Sequence, residues 1–177
     1  RCGACCTAED EDPHTATVFP DEVRDLQATT DYDFRDVARP MPYGLSETED
    51  GDVEGETFEW ALQTDSCGDC TFYTEDGNGV GACTAHDDRP LVCRTYPFSV
   101  ALAGTSQPMG EAVDEEGLVR AHECEGLGRD ISREDAEELA AALKERAVRE
   151  LEEAIGVRDA YEPTYPEPGE VVVHDSE

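Results

Sequence analysis

Apolar residues recur along this chain with two different periods, separated by stretches with none. Leu139, Leu143, Val148, Leu151 and Ile155 fall at helical spacing, which predicts one long amphipathic helix over 132–155. Ser132 suits its N-cap, with Asp135 three residues on, and Gly156 stands where such a helix ends. A shorter helix is expected over 20–30. Pro20, Asp21 and Glu22 fit its first turn, and Val23 and Leu26 its inner face. Phe58, Trp60 and Leu62 alternate with Glu59 and Ala61, the period of a strand. Residues 98–103 read as a second strand. Residues 31–55 are acidic and rich in Gly and Pro, and read as a loop; 123–128 form a Gly-rich turn around Cys124. Beyond Asp159 come Pro163, Pro166 and Pro168, an extended tail to which Val171–Val173 adds an edge strand. The expectation is an α+β fold: a small, loop-rich single domain over 1–158 with a long C-terminal helix, then a Pro-rich acidic tail at 159–177.

Charge changes this picture only in part. The 177 residues include 44 Asp and Glu against 13 Lys and Arg, a formal net charge of -31. Self-repulsion of that size favours disorder. Here the acidic residues are dispersed among periodic apolar ones, and Lys144 is the only lysine. In near-molar salt the Debye length falls to about 3 Å and the repulsion is screened. Dispersed carboxylates then serve solubility in a salt-rich, halophilic cytoplasm. No basic stripe exists to follow phosphates, so nucleic acid is not expected as a partner. No run approaches the roughly 20 apolar residues of a membrane span, and no signal peptide is visible. A cytoplasmic location and no membrane partner are therefore expected, although the chain begins at Arg1. With 15 Gly and 10 Pro, a core this modest would gain from a metal staple.

The cysteines are the candidate chemistry. They are Cys2, Cys5, Cys6, Cys67, Cys70, Cys83, Cys93 and Cys124. Cys2 and Cys5 form a C-x-x-C, as do Cys67 and Cys70. That spacing lets two thiolates converge on one ion while turn N–H groups donate to sulfur. Adjacent side chains tend to diverge, so Cys5 and Cys6 point to two sites or to one polynuclear cluster. Arg89 and Arg94 stand beside Cys83 and Cys93, where they can offset thiolate charge. Soft thiolate suits zinc, iron and iron–sulfur clusters alike, and the sequence does not choose among them. Two bland readings compete: small buried hydrophobes, or disulfides in an oxidising compartment. His86 lies three residues after Cys83, a ligand spacing, and His122 two before Cys124. His14 and His174 read as surface residues. Gly77, Gly79 and Gly81 precede Cys83 rather than a helix, so they read as a turn and not as a phosphate loop.

These motifs resemble a known family. Cys2-Gly3-Ala4-Cys5-Cys6 is similar to the end of the C-x-x-C-G-x-C-C signature of the YkgJ-type cysteine-cluster family of zinc- or iron-chelating domains. Cys70-Thr71-Phe72-Tyr73 resembles that family's C-x-F-L stretch. Cys83 to Arg89-Pro90, then Cys93-Arg94-Thr95-Tyr96-Pro97-Phe98, resembles its central block, and Cys124 to Gly128 its later C-x-G-x-G. The resemblance implies Cys2, Cys5, Cys6, Cys70, Cys83, Cys93 and Cys124 as metal ligands. Cys67 is extra to the pattern, His86 replaces a usual aromatic residue, and the signature's first cysteine is absent. The implied function is metal binding, with or without redox activity. A metal-dependent enzyme, protein-modifying or oxidoreductase, is the alternative, because a domain of this type also occurs in a flagellin lysine-methylating protein. A secreted disulfide-stapled protein is the third reading.

Overall fold

Val23 and Leu26, the inner face expected of the first helix, are fully buried, and the helix runs Pro20–Thr29 (α1). The computed structural model describes residues 3–8, 13–102, 110–124 and 127–177. Before α1 lies β1 (Thr17–Val18). After it come α2 (Phe34–Val37), β2 (Ala38–Pro40), β3 (Leu45–Glu47), β4 (Val53–Thr57) and β5 (Trp60–Leu62). Then follow β6 (Tyr73–Glu75), β7 (Gly81–Cys83), α3 (Leu91–Thr95), β8 (Phe98–Val100), β9 (Glu111–Ala112), β10 (Val119–Ala121), α4 (Arg133–Ala160) and β11 (Val171–Val173). The fold is α+β and rich in loops, as expected.

Strands gather in small sheets ordered β1-β5-β2, β8-β10-β9 and β11-β4-β3, with β6-β7 as a separate pair. Val18, Val23, Leu26, Val37, Leu62, Phe72 and Cys70 share one buried cluster. Cys6, Cys83 and Cys93 pack against it, partly buried. The core and the thiols are thus one body.

Residues 31–55 are not a loop. Asp33 caps α2, its carboxylate accepting from the N–H groups of Arg35 (2.8 Å) and Asp36 (3.3 Å), while Asp36 accepts from Asp33 N–H (2.9 Å). This reciprocal cap supplies the helix start. β3 and β4 then pair antiparallel, Ser46 opposite Glu54. β3 is largely solvated, and β4 is mostly half-buried but polar in sequence, so no apolar period marked them. The strand expected at 58–62 begins only at Trp60, and Phe58 and Glu59 precede it. β8 stops at Val100; residue 103 of that expectation lies outside the described residues.

The long helix departs most from its sequence reading. Ser132 does cap it, Oγ accepting from Asp135 N–H at 3.0 Å. Gly156 does not end it, since α4 continues to Ala160. A Cβ on Gly156 would lie 2.5 Å from the Ser176 Cβ, so glycine there admits the C-terminal segment. The apolar stripe is partly solvent-facing: Val148, Leu151 and Ile155 are exposed, and Ala142 is the residue of α4 that is buried. The helix docks through arginines instead. Arg146 donates to Thr95 Oγ1 (3.0 Å) and to the Phe98 carbonyl (3.3 Å), and the Arg149 guanidinium covers the Phe19 ring at 4.3 Å. Long arginine stems cover apolar surface while their heads pair.

Glu22 ties α1 to α3. Its carboxylate accepts from Leu91 N–H (2.8 Å) and Phe19 N–H (3.1 Å). Burial raises its pKa, which those two donors oppose. Replacing Glu22 with Gln puts an amide donor opposite one of them. Chemical denaturation should show a loss of about 1–3 kcal/mol; an unchanged midpoint would mean this bond does not anchor α3.

Candidate metal centre

Four chain segments bring thiols together. The first is a 3-10 turn, Ala4–Cys6, entered through Gly3 at φ 75. A Cβ on Gly3 would lie 2.5 Å from Tyr73 Cε2 and 3.0 Å from Gly81 Cα, so the signature glycine lets this turn press onto β6 and β7. Within the turn the Sγ atoms of Cys5 and Cys6 are 3.9 Å apart. Two sulfurs about 2.3 Å from one tetrahedral ion would stand about 3.8 Å apart. The adjacent cysteines therefore converge, against the expectation of divergence, because the tight turn rotates both to one side.

The second and third segments repeat one device. Cys70 N–H donates to the Cys6 carbonyl at 2.8 Å, seating it beside the first turn. The Phe72 N–H lowers the Cys70 thiol's pKa against burial, and the Ala85 N–H does the same for Cys83. Each is a backbone donor two residues past a cysteine, in Cys70-Thr71-Phe72 and Cys83-Thr84-Ala85. Such donors favour thiolate. They thus lie after Cys70 and Cys83. Inside the Cys67–Cys70 turn, the N–H groups of Cys67 and Asp69 go to the Asp65 carboxylate instead (2.7 and 3.1 Å). Gly77 and Gly79 belong to the turn joining β6 to β7, where Asp76 accepts from Asn78 and Val80 N–H.

Cys93 comes from α3, which starts after Pro90. Burial raises its thiol pKa first, and Cys70, Cys5 and Cys83 raise it further. The Cys6 thiol is raised chiefly by its bond with Cys5, then by burial, then by Cys5, Cys70 and Cys93 as charges. Cys5 shows the other half of this pair: its thiol is lowered to about 6, first by the bond it shares with Cys6. The pair releases one proton easily and holds the second. Cys5, Cys6, Cys70, Cys83 and Cys93 therefore face one another closely enough to shift one another's charge.

Arg89 faces the same group, lowering the thiols of Cys5, Cys83 and Cys93. Its Nε donates to the His86 carbonyl at 2.9 Å, which fixes the guanidinium there. Arg94 is exposed on α3 and is not among the charges acting on these thiols. Cys124 is partly buried in a segment held against Tyr96, whose hydroxyl donates to the Glu123 carbonyl at 3.0 Å. Cys67 is exposed. Cys2 lies outside the described residues. His86 turns its Nδ1 to Asp87 (3.1 Å). His14, read as a surface residue, is partly buried, and its Nδ1 has no hydrogen-bond partner among the described residues; burial lowers its pKa. No disulfide joins two of the described cysteines. Among the described residues no group of three or more His, Cys, Asp or Glu stands in the arrangement of a metal shell.

The donor set fits a soft metal. Thiols packed at the edge of the core, two of them with Sγ atoms 3.9 Å apart, are costly as free anions, and a divalent or trivalent cation offsets that charge. Without metal the sign reverses. Burial pushes the Cys70 thiol up from 9.0 to about 11, so the folded chain binds this proton more tightly than the unfolded one. The stability it contributes is full below pH about 9 and is lost as pH rises through about 11. Melting of reduced, metal-free protein should fall across that window, less steeply in Cys70→Ala. An equal slope in the variant would contradict the assignment.

A family profile, CxxCxxCC, described as "Putative zinc- or iron-chelating domain", matches residues 1–125. No curated protein and no solved structure matches the chain significantly.

Proposed function

Because the chain belongs to the CxxCxxCC family of zinc- or iron-chelating domains, we propose that Cys5, Cys6, Cys70, Cys83 and Cys93 hold iron or zinc as thiolates, with Cys2 and Cys124 completing the set. The observation that carries this reading is geometric: Cys6, Cys83 and Cys93 pack against the cluster that holds Cys70, Cys70 N–H bonds the Cys6 carbonyl, and the Cys5 and Cys6 Sγ atoms lie 3.9 Å apart. The Phe72 and Ala85 N–H groups and the Arg89 guanidinium stabilise the thiolates that a metal requires. Arg94, exposed on the same helix as Cys93, is free to meet an anion approaching from solvent. A bound metal supplies Lewis acidity or, as iron or an iron–sulfur cluster, one-electron chemistry.

Reduced thiols fit an intracellular, cytoplasmic setting. The acidic chain fits one rich in salt, where close carboxylates are screened. No described helix is long and apolar enough to cross a membrane. A metal-dependent enzyme is the second reading, favoured by a wide cleft against α3. Thiol titration of denatured protein, with chelator and without reductant, tests the first. All 8 cysteines should react; none reacting would establish the disulfide reading instead. The visible spectrum of anaerobic protein then separates iron–sulfur, which is coloured, from zinc, which is not.

A further inference from the structure

Val92 and Tyr96, on either side of Cys93 in sequence, line a cleft of about 930 Å³. Its walls are aromatic: Phe19, Phe58, Trp60, Phe98 and Tyr161 join Tyr96. Phe58 stacks on His174, and Tyr161 packs tilted against the first and edge-on to the second, ring centroids 4.9–5.9 Å apart. These rings are therefore held in place before any ligand arrives. A volume of this size, with aromatic faces alongside charged side chains, suits a small organic molecule that is itself both apolar and charged.

The polar groups decide its charge. Both arginines of the lining have partners: Arg146 pairs with Glu150 at 2.7 Å, and Arg158 with Asp159 at 2.7 Å. The Asp175 carboxylate accepts from Trp60 Nε1 (2.8 Å), and the Glu153 carboxylate from Ser176 N–H (2.9 Å) and Oγ (2.6 Å). Glu59 differs. The residue is solvent-exposed and no described donor hydrogen-bonds its carboxylate, which Glu150 repels and Arg146 attracts. Ser99 also lines the cleft; it is 5% exposed, and its Oγ has no hydrogen-bond partner among the described residues. An anionic ligand would find both lining arginines engaged. A cation with apolar substituents would find ring faces, an unpaired carboxylate and a spare hydroxyl.

We propose that this cleft is a binding site for a small organic cation with an apolar body, its substituents against Trp60, Phe58 and Tyr96 and its charge facing Glu59. This stands independently of which metal the thiols hold.

Tetraphenylphosphonium and tetraphenylborate share a shape and differ in the sign of their charge. Each is titrated into the full, metal-containing chain in about 1 M sodium chloride, where the Debye length of about 3 Å suppresses non-specific attraction to the acidic surface. Trp60, the only tryptophan, reports from the cleft wall. The phosphonium should change its fluorescence saturably and the borate should not. Glu59→Gln should weaken phosphonium binding about tenfold, and Glu59→Asp should retain most of it. Glu134→Gln, exposed in the first turn of α4, should leave it unchanged. Equal binding of both ions, no saturable change, or full phosphonium affinity in Glu59→Gln would overturn the proposal.

Discussion

Cys93→Ser is expected to lose metal and stability together. Cys93 is the thiol that α3 contributes, and α3 is short, running Leu91–Thr95. Its position is fixed from one side by Glu22, which accepts from Leu91 N–H, and from another by Arg146, which donates to Thr95 Oγ1. A hydroxyl is a poor ligand for a soft metal and would sit in a site that already penalises charge. Structural thiolate sites contribute about 10–16 kcal/mol of apparent binding energy in small peptides. Losing one ligand of several should remove a few kcal/mol of that, a melting temperature lower by about 10 °C for a chain of this size. Cys67→Ser makes the contrast. Cys67 is exposed, so metal content should hold and stability stay within about 0.5 kcal/mol of the parent. Full metal and unchanged melting in Cys93→Ser would refute the assignment of this block.

Removing the metal should loosen residues 67–98 before the rest. Their regular structure is a hairpin of two three-residue strands and the five residues of α3, too little to persist by local pairing. Phe72 and Leu91 bury into the body, but Cys70, Cys83 and Cys93 would be left together without a cation. α1 with Val23 and Leu26 and the β1-β5-β2 sheet hold much of the remaining core. The expected result, by hydrogen exchange with mass spectrometry after chelation under reductant, is lost protection across 67–98. Helical circular dichroism from α4 should partly remain. Exchange and melting unchanged by chelation would mean that the fold does not depend on the thiol centre.

Why some of this was legible in the sequence is a matter of range. The grouping of cysteines and the Arg-Pro-x-x-Cys-Arg-x-Tyr-Pro-Phe block are local, and they were read directly. So were the Ser132 cap and the buried pair Val23 and Leu26. The convergence of Cys5 and Cys6 was not, because it depends on a 3-10 turn that Gly3 permits. Which arginine faces the thiols was open as well. Arg89 and Arg94 both stand beside cysteines, and the turn at Pro90 points the first inward and leaves the second exposed. The inner face of α4 was missed for another reason. Its contacts run through Arg146, Arg149 and Glu153 to residues far along the chain, and such pairs leave no apolar period. Glu22 and Leu91 lie 69 positions apart, beyond any local rule. The cleft is assembled from β5, α3, β8 and α4, and no one of these announces it.

The central claim is that these thiolates hold a metal. Its most direct test is elemental analysis of the full chain, purified anaerobically without added metal, together with Cys93→Ser prepared in parallel. The account predicts at least about one iron or zinc per chain in the parent and a marked loss in the variant. A stoichiometry well below one in the parent would contradict it.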